Sequence, residues 1–321
     1  MINIAVIGAG ELGSRHLQAL VKLPGDGIIQ VVDPKNNSLE VARQRIEQVS
    51  SSFTGTITFL NNISELADEL DIVIVATNSN VRKNVIVEVL TCKKVNYLIL
   101  EKFLFPRIEE YQIVADLLVK CKTIAWVNCP RRMLDFYNEL KKTLNGNIHI
   151  AVTGNGWGLG CNGIHLLDLM AYLTGTPDFK FDNSMLDDTT ISSKRPGYIE
   201  FTGTLTGSCK NGTIHFTSFA KGISPTIMTI SDECNRYEIV EAAITTVRKA
   251  TFEREWNWEY FTFDFPYQSQ LTNLIAADLL KTGSCMLTPY AEASTLHISI
   301  LRAFMEHLNK NNLFVKECLI T

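Results

Sequence analysis

Three groups of residues have the types and spacing that chemistry needs. Gly8-Ala9-Gly10-Glu11-Leu12-Gly13 has the GxGxxG spacing, in which Gly8 permits a tight turn, Gly10 lets the backbone approach a pyrophosphate and Gly13 lets a helix pack closely on a strand. The phosphates would then lie on free amide N–H groups at the positive end of a helix. Lys102, next to Glu101, follows the apolar run from Val95 to Leu100. There its ammonium can polarise a hydroxyl or carbonyl oxygen or, if desolvated, lose a proton; the alternative is a solvated surface lysine. Cys161, His165 and Asp168 follow one another at helical spacing, so they share a face. An acid one turn from a histidine can hold it in one tautomer, as a general base requires, or simply satisfy it in a core. Cys161 is a further candidate, as a thiolate paired with His165.

These groups need elements to position them. Ile2 to Ile7 is short and β-branched, as in a strand buried on both faces of a parallel sheet, and a helical period with Leu12, His16, Ala19, Leu20 and Leu23 follows it. Ile28 to Val32 reads as a second strand ending in Asp33, twenty residues past Gly13, where an acid accepts hydrogen bonds from the adenosine ribose. Its carboxylate would repel a 2′-phosphate, which favours NAD over NADP, although Lys35 weakens that preference. Ser38 reads as a helix N-cap, Thr56 to Leu60 as a strand, and Ser64 as opening a short helix that ends near Leu70. Asp71 to Ala76 is a strongly apolar strand leading into Thr77, Asn78, Ser79 and Asn80, a polar loop at the sheet's carboxyl end, where ligands of open α/β sheets bind. With Val95 to Leu100, a helix from Ile108 to Val119 and a strand from Thr123 to Val127, the first 128 residues read as a doubly wound Rossmann domain.

Residues 129–321 read as an α+β substrate-binding and oligomerisation domain. An amphipathic segment from Met133 to Leu144 and a strand from Ile148 precede the glycine-dense loop that holds Trp157, read as punctuation or as presenting Trp157 to a substrate. The helix bearing His165 comes next. Six alternating segments follow: Tyr198 to Leu205, Thr213 to Phe219, Ile227 to Ser231, Tyr237 to Val240, Thr245 to Lys249 and Tyr260 to Phe265. They predict a largely antiparallel open sheet with helices on one face and the other free to pair with a second subunit, giving a homodimer or homotetramer. The aromatic cluster at 256–261 suits a packed sheet or interface better than a sugar platform. Helices from Tyr267 to Lys281 and Pro289 to Leu308 close the pattern.

The chain has 321 residues, 46% hydrophobic and 20% charged, with a net charge of −4, which gives no electrostatic reason to expect nucleic acid or an anionic membrane as partner. No apolar run reaches the roughly 20 residues of a membrane helix. The opening residues read as a strand rather than a charged-then-apolar signal, so the cytoplasm is the expected compartment. The eight cysteines are scattered without metal spacing, and no metal is expected.

Taken in order, the motifs resemble the Gfo/Idh/MocA oxidoreductases, the family of glucose–fructose oxidoreductase and inositol dehydrogenase. The resemblance is carried by GAGELGSRH at 8–16, VVDP at 31–34, VATNSN at 75–80, EK at 101–102, Arg132, GIHLLDLM at 163–170 and TPYAEA at 288–293. It implies hydride transfer between NAD (or NADP) and a sugar, nucleotide sugar or related polyol, with Lys102 and His165 as catalytic residues. By the same resemblance Glu11, Leu12, Thr77, Asn78, Asn80 and Glu101 join the glycines, Asp33 and Lys102 at the cofactor, and Arg132 and Asp168 join Trp157 of the glycine-dense loop as residues expected at the substrate.

The chain departs from the family's pattern in three places. Cys161 stands where the family has an aspartate four residues before the histidine, and Phe103 stands where it has proline after the lysine. Arg82 ends a loop that usually carries histidine, and reads as a phosphate or carboxylate ligand or as a solvated helix-start arginine. Catalytically altered relatives are therefore the alternatives: NAD-recycling glycoside cleavage or elimination, or nicotinamide binding without turnover.

Overall fold

The computed structural model describes residues 2–310 and 314–321. They form two compact units, the first made of residues up to Phe105, Glu109–Pro130 and Pro266–Tyr290. Its strands are β1 (Ile2–Ile7), β2 (Gly27–Val32), β3 (Thr56–Leu60), β4 (Glu69–Val75), β5 (Lys94–Leu100) and β6 (Ile124–Val127). They lie in the order β6-β5-β4-β1-β2-β3, all parallel, with the short strand Thr288–Pro289 antiparallel on β6. Four helices alternate with them: α1 (Glu11–Leu20), α2 (Asn36–Ile46), α3 (Ser79–Cys92) and α4 (Glu109–Cys121). The final residues of the central strands are wholly buried, as expected where helices cover both faces of a parallel sheet.

Two local expectations fail in this unit. α2 starts at Asn36 rather than after Ser38, because an Asp33 oxygen accepts the Lys35 N–H (2.9 Å) and turns the chain early. The helix expected from Ser64 is one 3-10 turn, Ile63–Glu65, and β4 has begun by Glu69.

The second unit comprises Pro106–Ile108, Arg131–Phe265 and the chain from Ala291 onward. After α5 (Asp135–Thr143) come β7 (Ile148–Asn155) and α6 (Leu159–Thr174). Then follow β8 (Lys180–Leu186), β9 (Ile191–Ser192), β10 (Ile199–Glu200), β11 (Gly203–Cys209), β12 (Gly212–Phe219), β13 (Ile227–Ser231), β14 (Asn235–Val240), β15 (Ile244–Thr251) and β16 (Glu259–Asp264). Eight of these strands form one sheet in the order β16-β15-β14-β13-β7-β12-β11-β8, antiparallel except for the β7–β12 pair. α6 packs on β7 and β12, whose inward residues Ile150, Val152, Ile214 and Phe216 are buried. The strand expected over Tyr198 to Leu205 is broken in two. Gly203 has φ +89°, and a Cβ there would meet the Asp187 nitrogen at 2.5 Å, so the chain turns where a side chain could not. β8 was not foreseen, because its exposed polar residues leave no apolar alternation. Within the first unit, in place of one helix from Tyr267, a 3-10 turn (Gln268–Gln270) precedes the helix Thr272–Thr282, and both belong with α1, on which the helix packs.

Candidate active site

Strand register decides which residues reach the edge of the first sheet. Ile7, Val32, Val75, Leu100 and Val127 lie level across the strands. The residues that follow continue the ladder: Gly8 N–H donates to Val32 O (2.8 Å), Ala76 to Ile7 (2.8 Å), Glu101 to Val75 (3.1 Å) and Asn128 to Leu100 (2.8 Å). Gly8, Asp33, Ala76, Glu101 and Asn128 thereby form one row at the carboxyl ends, where open α/β sheets bind ligands.

The glycine loop fits a dinucleotide. Gly8 has φ +96°, a region that favours glycine, and a Cβ there would press on the Ala76–Thr77 backbone at 3.1 Å. A Cβ on Gly13 would fall 1.7 Å from Gly8 O, so only glycine lets α1 approach the loop this closely. A Cβ on Gly10 would meet nothing within 4 Å. It would occupy open space at the N-terminus of α1, the space a pyrophosphate needs. Asp33 Oδ2 accepts the Ala9 N–H at 2.9 Å, which holds the carboxylate against the loop while leaving it lone pairs for ribose hydroxyls. Glu11 is exposed and paired with Arg45, both of its oxygens lying 2.7 Å from Nη2. Leu12 is half-buried beside it, and Thr77, Asn78 and Asn80 lead into α3.

Lys102 is half-buried and flanked on both sides by fixed residues. Glu101 is buried, and its Oε1 accepts from His16 Nε2 (2.9 Å) and Asn128 Nδ2 (2.5 Å). His16 Nδ1 lies 2.8 Å from Thr272 Oγ1, and Gln268 bonds both Asn128 and Thr272. Burial alone would raise the Glu101 pKa, but His16, Asn128 and the charge of Lys102 more than offset it and hold the carboxyl below its ordinary value. The Lys102–Phe103 peptide bond is cis. Past it, Phe105 N–H donates to the Tyr111 hydroxyl (3.3 Å), which donates back to Phe105 O (3.0 Å). Arg82 is not a solvated helix-start arginine. It is 1% exposed, and its guanidinium donates to the carbonyls of Thr77, Phe103 and Leu104.

In the second unit, Arg132 and Asp168 are both buried and joined by two 2.9 Å bonds, Nε to Oδ2 and Nη2 to Oδ1; Nη2 also reaches Glu292 Oε1 at 2.7 Å. Burial opposes the guanidinium charge, but these two carboxylates more than offset it and raise the Arg132 pKa above its ordinary value. Asp168, expected at the substrate, thus engages Arg132 with both oxygens. Trp157 lies between Gly156 and Gly158, both at positive φ, and its indole N–H donates to Thr217 O at 2.8 Å. It lines a cavity of about 330 Å³ with Cys161, Asn162, Arg195, Glu200 and Thr321. Glu200 accepts the Gly160 N–H (2.8 Å) and the Cys161 N–H (3.1 Å), satisfying the first amides of α6. The Cys161 sulfur sits 3.7 Å from Asn162 Oδ1, and His165 is half-buried one turn further along α6.

The structure therefore gathers Gly8, Gly10, Gly13, Asp33, Thr77, Glu101 and Lys102 at one sheet edge, and Trp157 with Cys161 at one cavity. Sequence reasoning did not single out His16, Asn128 or Glu200. The only signal for His16 is its place three residues past Gly13. Among the described residues, no group of three His, Cys, Asp or Glu side chains could hold a metal ion, and no helix is long and apolar enough to cross a membrane.

Residues 2–129 match the model of an oxidoreductase family with an NAD-binding Rossmann fold, the Gfo/Idh/MocA family. No curated protein matches the chain by sequence. Solved structures with a similar fold include an oxidoreductase from Agrobacterium radiobacter in complex with NAD+, L-tartaric acid and magnesium (14% identity, 97% of each chain, TM-score 0.69). Another is KijD10, a 3-ketoreductase from Actinomadura kijaniata in complex with NADP (15% identity, 94% of this chain and 96% of that one, TM-score 0.68). A third is the UDP-N-acetylglucosamine 3-dehydrogenase GnnA from Acidithiobacillus ferrooxidans (14% identity, 97% and 99%, TM-score 0.69). At these identities the likeness is one of fold. Together with the cradle built by Gly8, Gly10 and Gly13, the match shows that residues 2–129 carry the NAD-binding Rossmann fold of the Gfo/Idh/MocA oxidoreductases, and the solved structures show the same fold over nearly the whole chain.

Proposed function

We propose that the chain is an NAD-dependent dehydrogenase or reductase that acts on a carbinol of a sugar, nucleotide sugar or related polyol. The observation that carries this reading is the row of Gly8, Asp33, Ala76 and Glu101 at one sheet edge, with Lys102 held next to it. A nicotinamide held there supplies the hydride acceptor or donor. The glycine loop and Asp33 hold the dinucleotide, and the Asp33 carboxylate favours NAD over NADP. In oxidation, Lys102 donates a hydrogen bond to the substrate oxygen and steadies its developing charge. His165 takes the hydroxyl proton, a role worth about 10²–10⁴-fold in rate. Trp157, with the polar groups of Asn162, Arg195 and Glu200 around the same cavity, suits a hydroxyl-rich ligand. The 3-ketoreductase and the UDP-N-acetylglucosamine 3-dehydrogenase that share the fold support a sugar substrate. The outer face of the eight-stranded sheet, which carries His149, Thr153, His215 and Phe219, is our choice for a homodimer contact.

The test is NADH-linked turnover of a panel of UDP- and TDP-linked sugars by the wild type, Lys102→Ala and His165→Ala. We expect each substitution to lower the rate by at least about 100-fold. Equal rates in all three would remove the catalytic assignment. Turnover without net NADH release would favour the recycling alternative.

A further inference from the structure

Arginine is almost never fully buried unless its donors are met. Arg82, in the first turns of α3, is 1% exposed and is among the largest wholly buried side chains. Its guanidinium donates to three main-chain carbonyls, in two segments far apart in sequence. Thr77 opens the polar loop at the end of β4. Phe103 and Leu104 directly follow Lys102. A planar fork with five donors can span two such segments at once, whereas a lysine ammonium is a point charge on a flexible stem. Because these three acceptors are backbone oxygens, the bonds to them do not depend on which side chains stand at 77, 103 and 104. On its other flank Lys102 follows Glu101, which His16 and Asn128 hold.

We infer that Arg82 is a positioning residue: it fixes the backbone beside Lys102 relative to the Thr77–Asn80 loop, and so sets the lysine against the nicotinamide. This rests on the placement of Lys102 proposed above.

The experiment measures lysine reactivity and cofactor affinity, and needs no substrate. Lysines of the full chain are reductively methylated with and without NADH, read by mass spectrometry, in the wild type, Arg82→Lys and Arg82→Met. NADH affinity and the unfolding midpoint are measured on the same samples. In the wild type, NADH slows methylation of Lys102. In Arg82→Lys that protection falls and the NADH Kd rises, each by about tenfold, the scale set by losing one charge-assisted hydrogen bond. Lys22 and Lys93, held by Ser269 and Asp68, react as before. A folded Arg82→Lys or Arg82→Met protein with unchanged protection and Kd would reduce Arg82 to packing and overturn the inference. Failure of both variants to fold would make Arg82 a folding determinant and overturn it equally. If NADH does not protect Lys102 even in the wild type, the placement of Lys102 beside the nicotinamide falls first, and this inference with it.

Discussion

Gly10→Ala and Gly13→Ala should separate cofactor binding from folding, although the two glycines belong to one motif. At Gly13 the new methyl would sit 1.7 Å from Gly8 O and 2.8 Å from Gly8 C. Both are backbone atoms that cannot rotate aside, so α1 and the loop must part by more than an ångström. Overpacking of this kind costs about 3 kcal/mol at the upper end of its usual range. Replacing glycine inside a helix returns about 1 kcal/mol, leaving a net loss near 2 kcal/mol. At Gly10 the methyl meets nothing within 4 Å, and the backbone (φ −66°, ψ −160°) already suits alanine. Only the N-cap preference is lost, at most about 1 kcal/mol. That same methyl fills the space where the phosphates would approach the amides of α1, so NADH should bind at least about tenfold more weakly, a loss of about 1.4 kcal/mol. Urea unfolding without cofactor and NADH fluorescence titration measure the two effects separately. A Gly10→Ala protein that binds NADH like the wild type, or that loses as much stability as Gly13→Ala, would refute this account of the cradle.

Four further outcomes follow from the geometry. Asp33→Ser removes the carboxylate that repels a 2′-phosphate, so the ratio of NADPH to NADH affinity should rise by about tenfold or more; parallel titrations with both cofactors would show it. Arg132→Met leaves Asp168 buried without its countercharge and should cost about 3–5 kcal/mol in denaturant unfolding, part of which Arg132→Met with Asp168→Leu restores. Glu101 has a folded pKa below its ordinary 4.5, so its contribution is complete above about that pH and is lost as pH falls through the folded value; Glu101→Gln should flatten the acid limb of a stability–pH curve. Burial pushes the Cys318 thiol far up, so iodoacetamide should modify the exposed Cys92 and Cys234 well before it in the native protein.

What the sequence made legible were features whose physics is local. The β-branched runs before Gly8, Asp33, Thr77 and Glu101 announce buried parallel strands, and glycine spacing between a strand and a helix announces a phosphate loop. What stayed hidden depends on partners remote in the chain. Arg82 reads as a surface residue until Phe103 and Leu104 are brought over it. His16 finds Glu101 and, farther still, Thr272, and nothing in the pattern of either segment joins them. The break at Gly203 was missed because its neighbours alternate well enough for one strand; the reason for it lies in the backbone at 185–187. Glu200 reads as an ordinary strand residue, since the amides it satisfies belong to another element.

The two departures beside the expected catalytic pair share a physical feature. Phe103 is gripped through its carbonyl by Arg82, and Cys161 through its amide by Glu200. In both cases the neighbour holds main-chain atoms, which every residue type supplies, so a side chain can change there while the backbone keeps its place. Cys161, at the position where the resemblance expects an aspartate, therefore leaves a carboxylate at the start of α6, where Glu200 lies against the same amide. It follows that Cys161→Asp should leave the fold of α6 intact, with an unfolding midpoint like the wild type's in urea. Departures of this kind redirect chemistry before they disturb geometry. For this reason the fold and the cofactor cradle can be read from the family, while the substrate has to be read from the side chains of this chain.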